Sequence, residues 1–99
     1  MLLLPEVVGI SEAREVLRLL RQSLPREPAD QLLIDAGGLQ NFDSSVLAVL
    51  LECRRLAQAS GRSFAMRGAP PRLSQLARLH GVHELLDLDA EPAAASVIV

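Results

Sequence analysis

Between Gln31 and Arg67 the chain runs strand, helix, strand, and this order constrains its fold more than any other feature. Gln31-Leu32-Leu33-Ile34-Asp35-Ala36 is a nearly continuous apolar run of strand length, the pattern of a strand buried on both faces of a parallel sheet. Gly37-Gly38 breaks it. From about Ser44 to Ala59 the apolar residues recur at helical spacing, and Ser60-Gly61 follows, where glycine can take the left-handed conformation that closes a helix. Ser63-Phe64-Ala65-Met66-Arg67 is a second strand. Two strands joined through a helix by short loops form a βαβ unit, whose crossover is right-handed in nearly all cases. The sheet is therefore expected to be at least partly parallel.

The flanking segments extend this unit. Leu2 to Leu4 is a short strand candidate limited by Pro5 and Gly9, and Ser11 offers an N-cap. From Glu12 to Leu24 the apolar positions Ala13, Val16, Leu17, Leu20 and Leu24 mark one face of a surface helix, which Pro25 and Pro28 end. Pro70-Pro71 opens a last helix with Leu73, Leu76, Ala77 and His80 on one side and Gly81 at its close. Val82 to Leu86 predicts one further helical turn. After Asp87 the chain is Ala-rich and contains Pro92, and Ser96 to Val99 is either a late strand or disordered. A chain of 99 residues holds one ordinary core. The expected architecture is a single α/β domain over residues 1–87, a mixed, mostly parallel sheet of about four strands with helices packed on it, followed by a tail over 88–99.

Composition removes several function classes. All ten basic residues are arginine, so a Schiff-base lysine and the lysine of a P-loop are excluded. A net charge of -2, no Trp or Tyr and two isolated Phe leave neither a basic groove nor a stacking platform for nucleic acid. The single cysteine, Cys53, cannot form an internal disulfide, and Met1 to Pro5 has no basic flank or apolar run of signal-peptide length. A cytoplasmic protein is expected. The longest purely apolar stretch, Val46 to Leu51, is far short of the roughly 20 residues that span a bilayer.

Asp43-Ser44-Ser45 places two hydroxyls at the positive end of the central helix, where free N–H groups and the macrodipole favour hydroxyls, phosphates or acidic groups. A nucleophilic serine would sit in a G-x-S-x-G elbow, but Asn41 and Phe42 stand upstream of the pair, so a serine esterase is disfavoured. His80 and His83 lack further ligands at metal spacing, and no metal site or cofactor is expected. Gly37-Gly38 matches no nucleotide fingerprint and reads as a turn. Cys53 reads as a small core residue and Arg54-Arg55 as a solvated face.

At 3.6 residues per turn, Ser45, Ala48, Val49, Glu52, Arg55 and Ala59 fall on one side of the helix and Leu47, Leu50, Leu51 and Leu56 largely on the other. A strip of small residues with Glu52 and Arg55 at its rim permits close approach of a partner helix and fixes its register. The competing reading is that Ser44 and Ser45 only cap the helix, a contribution of about 1 kcal/mol.

Leu33-Ile34-Asp35-Ala36, the six-residue loop 37–42, Asp43-Ser44-Ser45, the Leu-rich helix ending at Gly61, the strand to Arg67-Gly68, and Leu76-Ala77-Arg78-Leu79-His80-Gly81-Val82 together resemble a STAS domain. The likeness covers about Leu32 to Leu86, and the last segment and single-domain length are most similar to the MlaB-like branch. The resemblance implies a STAS-like α/β fold and a non-catalytic cytoplasmic subunit, peripheral to the inner membrane, that binds the MlaF-like ATPase of an ABC phospholipid transporter maintaining outer-membrane lipid asymmetry. It makes Ser44 the counterpart of a threonine at the ATPase contact, and Ser45 the counterpart of the serine phosphorylated in anti-anti-sigma factors. An anti-anti-sigma antagonist switched at Ser45 is thus the alternative function. Val46 stands where those factors carry glycine, and its β-branch crowds the Ser45 hydroxyl. The partner-binding residues implied are Ser44, Ser45, Ala48, Val49, Glu52 and Arg55. With only about ten residues before the first helix, the family's usual pair of opening strands is expected to shorten to one.

Overall fold

A computed structural model describes residues 2–26 and 30–86 of the chain. It is an α/β unit in which every strand pairing among the described residues is parallel. Strand β1 (Leu2–Leu3) pairs with β3 (Gln31–Asp35), which pairs along its whole length with β5 (Ser63–Arg67), giving the order β1-β3-β5. Leu32 and Ile34 are buried while Leu33 and Asp35 between and beyond them are half-buried and Gln31 is exposed, so β3 has one fully covered face and one partly covered face, not two buried ones.

The expectation of a single opening strand is corrected. A second short strand, β2 (Val7–Val8), follows Pro5 and pairs in parallel with β4 (Asn41–Phe42), which lies inside the segment read as loop. Both are two residues long, too short for alternation to register, and they are held by the Glu6 carbonyl, which accepts from the Gln40 and Asn41 N–H groups at 2.8 and 2.9 Å. The described strands therefore number five in two small sheets, against about four in one.

Helix α1 (Ile10–Ser23) begins two residues before the expected start at Glu12, its cap falling on Gly9 and not on Ser11. Gly9 is its N-cap, and the Glu12 carboxylate turns back to accept the Gly9 N–H at 2.9 Å, the reciprocal half of a capping box. Val16, Leu20 and Leu24 are buried, as the helical period requires. Helix α2 (Ser45–Ala59) packs against α1 and over β5. It closes at Gly61, whose φ of 76° is the left-handed value, with the Arg62 N–H returning to the Ala57 carbonyl at 2.8 Å. Helix α3 (Pro71–Leu79) adds Leu73 and Ala77 to the core, while His80 is exposed at its end and not on the apolar face. Residues 83–86 form a turn that carries Leu86 fully into the core. The tail from Asp87 lies outside the described residues.

Candidate functional site

Strands β2 and β4 run side by side, and each leads into a helix, so the N-termini of α1 and α2 emerge next to one another. One carboxylate joins them. Asp43 accepts the Ile10 N–H of α1 at 3.0 Å through Oδ2 and the Ser45 N–H of α2 at 2.8 Å through Oδ1. The Ser45 side chain adds to the stabilisation of the same carboxylate. These bonds favour the charged form, chiefly the one from the Ser45 N–H, and hold the Asp43 carboxyl below the usual carboxylate range.

This settles the capping alternative. Asp43, and neither serine hydroxyl, caps α2: Ser44 makes no side-chain cap hydrogen bond, and it is Asp43 Oδ1 that accepts the Ser45 N–H. Ser44 is exposed and Ser45 half-buried, so the Ser44 hydroxyl is the one presented to solvent. Asp ranks with Ser as an N-cap, which is the sequence signal that could have identified the role.

The strip along α2 is present with one correction. Ala48 and Arg55 are exposed, but Val49 is only 2% exposed and belongs to the core. The buried residues of α2 are Val46, Leu47, Val49, Leu50, Cys53 and Ala57, so Leu47 and Leu50 stand in the core as expected, whereas Leu51 and Leu56 are only half-buried. Weighting the leucines turned the inferred core face too far round the helix and left Val49 outside it.

Glu52 is not a free rim charge. Its carboxylate accepts from Arg55 on the same helix and from Arg21 of α1 at 3.1 Å, so it joins the two helices across their outer surface. Those bonds, the Arg55 one foremost, lower its pKa to about 2. Arg55 is held above its ordinary value by the same pairing. Cys53 sits on the opposite, buried side, where desolvation first and the Glu52 charge second push the thiol up to about 12. It is unsuited to act as a nucleophile at neutral pH.

Beside Asp43 the structure also gathers residues that no sequence pattern marks. Phe42, Asp43, Arg72, Gln75, Leu76 and Leu79 line a groove of about 290 Å³ between the end of β4 and α3. The Arg72 guanidinium lies 5.0 Å from the centre of the Phe42 ring. Among the described residues no group of three or more metal-ligating side chains exists, and no helix is long and apolar enough to cross a membrane.

The family model described as Mlab, STAS domain matches residues 1–87. The chain belongs to this family, as a STAS domain of the MlaB type. Among curated proteins none matches it. In the STAS domain described above, the Asp43-Ser44-Ser45 motif occupies the junction of two parallel strands and two helix starts, and proteins of this family are generally non-catalytic.

Proposed function

We propose that this STAS domain is a non-catalytic subunit that docks on the ATPase of an ABC phospholipid transporter, contributing to outer-membrane lipid asymmetry from the cytoplasmic side of the inner membrane. The family supports the class of complex. The observation that carries the docking reading is the Ser44 hydroxyl, exposed at the start of α2, unused in capping, and continued along the helix by exposed Ala48 and the Glu52–Arg55 pair. Small side chains there let a partner's backbone approach closely, and the ion pair beyond them sets register.

Ser45 is less suited to a phosphorylation switch. Ser45 is half-buried with its N–H bound to Asp43, the next residue Val46 is fully buried, and a phosphate would place about two further negative charges near the Asp43 carboxylate. The antagonist reading therefore ranks second. A kinase-like anti-sigma factor captured with the domain, together with a phosphate on Ser45, would reverse the order.

Ser44→Glu and Ala48→Arg are expected to abolish co-purification with the cognate ATPase while the melting temperature of the free domain stays unchanged. Undiminished binding by both variants removes this edge from the interface.

A further inference from the structure

The sheet order β1-β3-β5 leaves β1 at an edge. Leu4 donates its N–H to the Asp35 carbonyl at 3.0 Å, and alternate residues of a parallel strand turn to the same neighbour, so Leu2 and Leu4 face β3 while the Leu3 N–H and C=O point away from it. Those two groups pair with nothing among the described residues. An open strand edge is a template for a further strand, and proteins usually cover it.

An apolar groove lies on the same side. Leu3, Leu4 and Pro5 of the strand and Val16, Leu19 and Leu20 of α1 line a space of about 260 Å³, with no residue of β3 among them. Leu4, Val16 and Leu20 are buried, whereas Leu3 and Leu19 are exposed at 67% and 47%. The lining carries no polar side chain, so it suits an aliphatic occupant. Open backbone groups beside an apolar groove are the arrangement that receives an extended segment, main chain pairing along the edge and alternate side chains entering the groove.

The chain itself contains such a segment. Residues 87–99 lie outside the described part and include Val97-Ile98-Val99, the longest β-branched run in the sequence and a composition suited to a strand. Leu86, where the described chain stops, is fully buried in the core of a domain measuring 38 × 31 × 23 Å. Residues 87–96, extended at ~3.3 Å each, span roughly 30 Å, well over half the longest of those dimensions, so the triplet can reach the β1 edge from the interior. Size favours a tethered segment over a separate molecule: Leu3 to Pro5 and three residues of α1 line the groove, whereas a stable interface between two proteins takes roughly 20–30 residues a side. A short tether needs no such area, because it holds the segment at an effective concentration in the roughly millimolar range.

We propose that Val97-Ile98-Val99 adds a strand to the open edge of β1, its backbone pairing with Leu3 and an aliphatic side chain entering the groove between Leu3 and Leu19. None of the residues assigned to docking takes part, so the outcome is independent of the ATPase reading.

The test is amide hydrogen exchange of the full chain, followed by NMR at two protein concentrations. The Leu3 N–H is expected to exchange at least tenfold more slowly than in an unstructured peptide of the same sequence. Neighbouring residues of a strand point their N–H groups in opposite directions, so at least one of Val97→Pro and Ile98→Pro removes a ladder donor and is expected to return Leu3 to the unstructured rate. Leu19→Asp, at an exposed groove position, is expected to do the same. The Leu4 N–H, held by Asp35, stays protected in every variant and shows that the sheet is intact. Unprotected Leu3 in the unsubstituted chain overturns the proposal, as does protection that survives both proline variants. Protection that appears only at the higher concentration, in step with a dimer seen by sedimentation, assigns the edge to a second copy and overturns it equally.

Discussion

The rotation of α2 about its own axis decides which residues a partner can reach, and replacing Val49 by alanine measures it. Val49 is 2% exposed, between Val46 and Cys53 on the buried stripe. Alanine removes two methyl groups from that position, a transfer loss of about 1.6 kcal/mol at ~0.8 kcal/mol for each buried carbon. The surrounding side chains relax only in part, and the cavity term brings the expected cost to roughly 2–3 kcal/mol. For a domain of this size, roughly 4–8 °C is lost per kcal/mol, so 2 kcal/mol alone lowers the melting temperature by about 8–16 °C. Ala48, one residue earlier and exposed, is the control: Ala48→Gln changes stability by less than about 0.5 kcal/mol. Urea denaturation of both free variants, with equal slopes, gives the two numbers directly. The binding readout must run the other way, with Val49→Ala retaining the ATPase below its melting transition and Ala48→Arg losing it. If Val49→Ala costs under about 0.5 kcal/mol, or Ala48→Gln costs as much as Val49→Ala, α2 is rotated differently from the structure and the Ser44–Ala48–Arg55 edge fails with it.

The Cys53 thiol offers an independent probe of the same rotation. With its pKa moved from 9.0 to about 12, ionisation alone slows disulfide exchange with a chromogenic reagent at pH 8 by ~10³-fold relative to the guanidinium-unfolded chain, so native labelling within tenfold of the unfolded rate would contradict the burial. Glu52 carries a folded pKa of about 2 against 4.5, so its stabilising contribution is fully present above about pH 4.5 and is lost as pH falls through about 2. Melting temperatures of wild type and Glu52→Gln should accordingly differ most above pH 5 and converge near pH 2; a gap that widens on acidification has the wrong sign. Gly61→Ala and Gly68→Ala both put a Cβ on a left-handed residue, a penalty of roughly 1–2 kcal/mol, but only at Gly68 would that Cβ also meet backbone, the Gly37 N and Cα at 3.0 Å. Urea midpoints should rank Gly68→Ala as the more damaging, and equal losses would mean that the two loops do not approach closely.

Patterns that repeat within one element were legible in the sequence, and contacts that join distant elements were not. The period of α1, the apolar run of β3 and the glycine that closes α2 each carry their signal in neighbouring residues, and each stands where it was read. Strands β2 and β4 are two residues each, and their pairing depends on the Glu6 carbonyl reaching Gln40 and Asn41, 34 and 35 positions on, which no local period encodes. The misreading of Val49 came from a real ambiguity: α2 carries apolar residues over more than half its circumference, and the core takes Val46, Val49 and Ala57 along with Leu47 and Leu50, while Leu51 and Leu56 stay half-buried.

The Asp43-Ser44-Ser45 motif shows how far a local signal extends toward a site. Two hydroxyls at a helix start were visible, but their division of labour depends on Ile10, which is 33 residues away in sequence and one hydrogen bond away in space. Because Asp43 is already bound to both helix starts, it is committed to positioning, and Ser45 is committed to Asp43. Only Ser44 keeps an exposed hydroxyl free of capping, so the choice between docking and switching depends on a carboxylate that precedes both serines. Replacing Asp43 by alanine should therefore loosen α1 as well as α2, with faster hydrogen exchange at the Ile10 amide as the specific sign. Acceleration at Ser45 alone would show that the two helix starts are capped independently and that Asp43 does not join them.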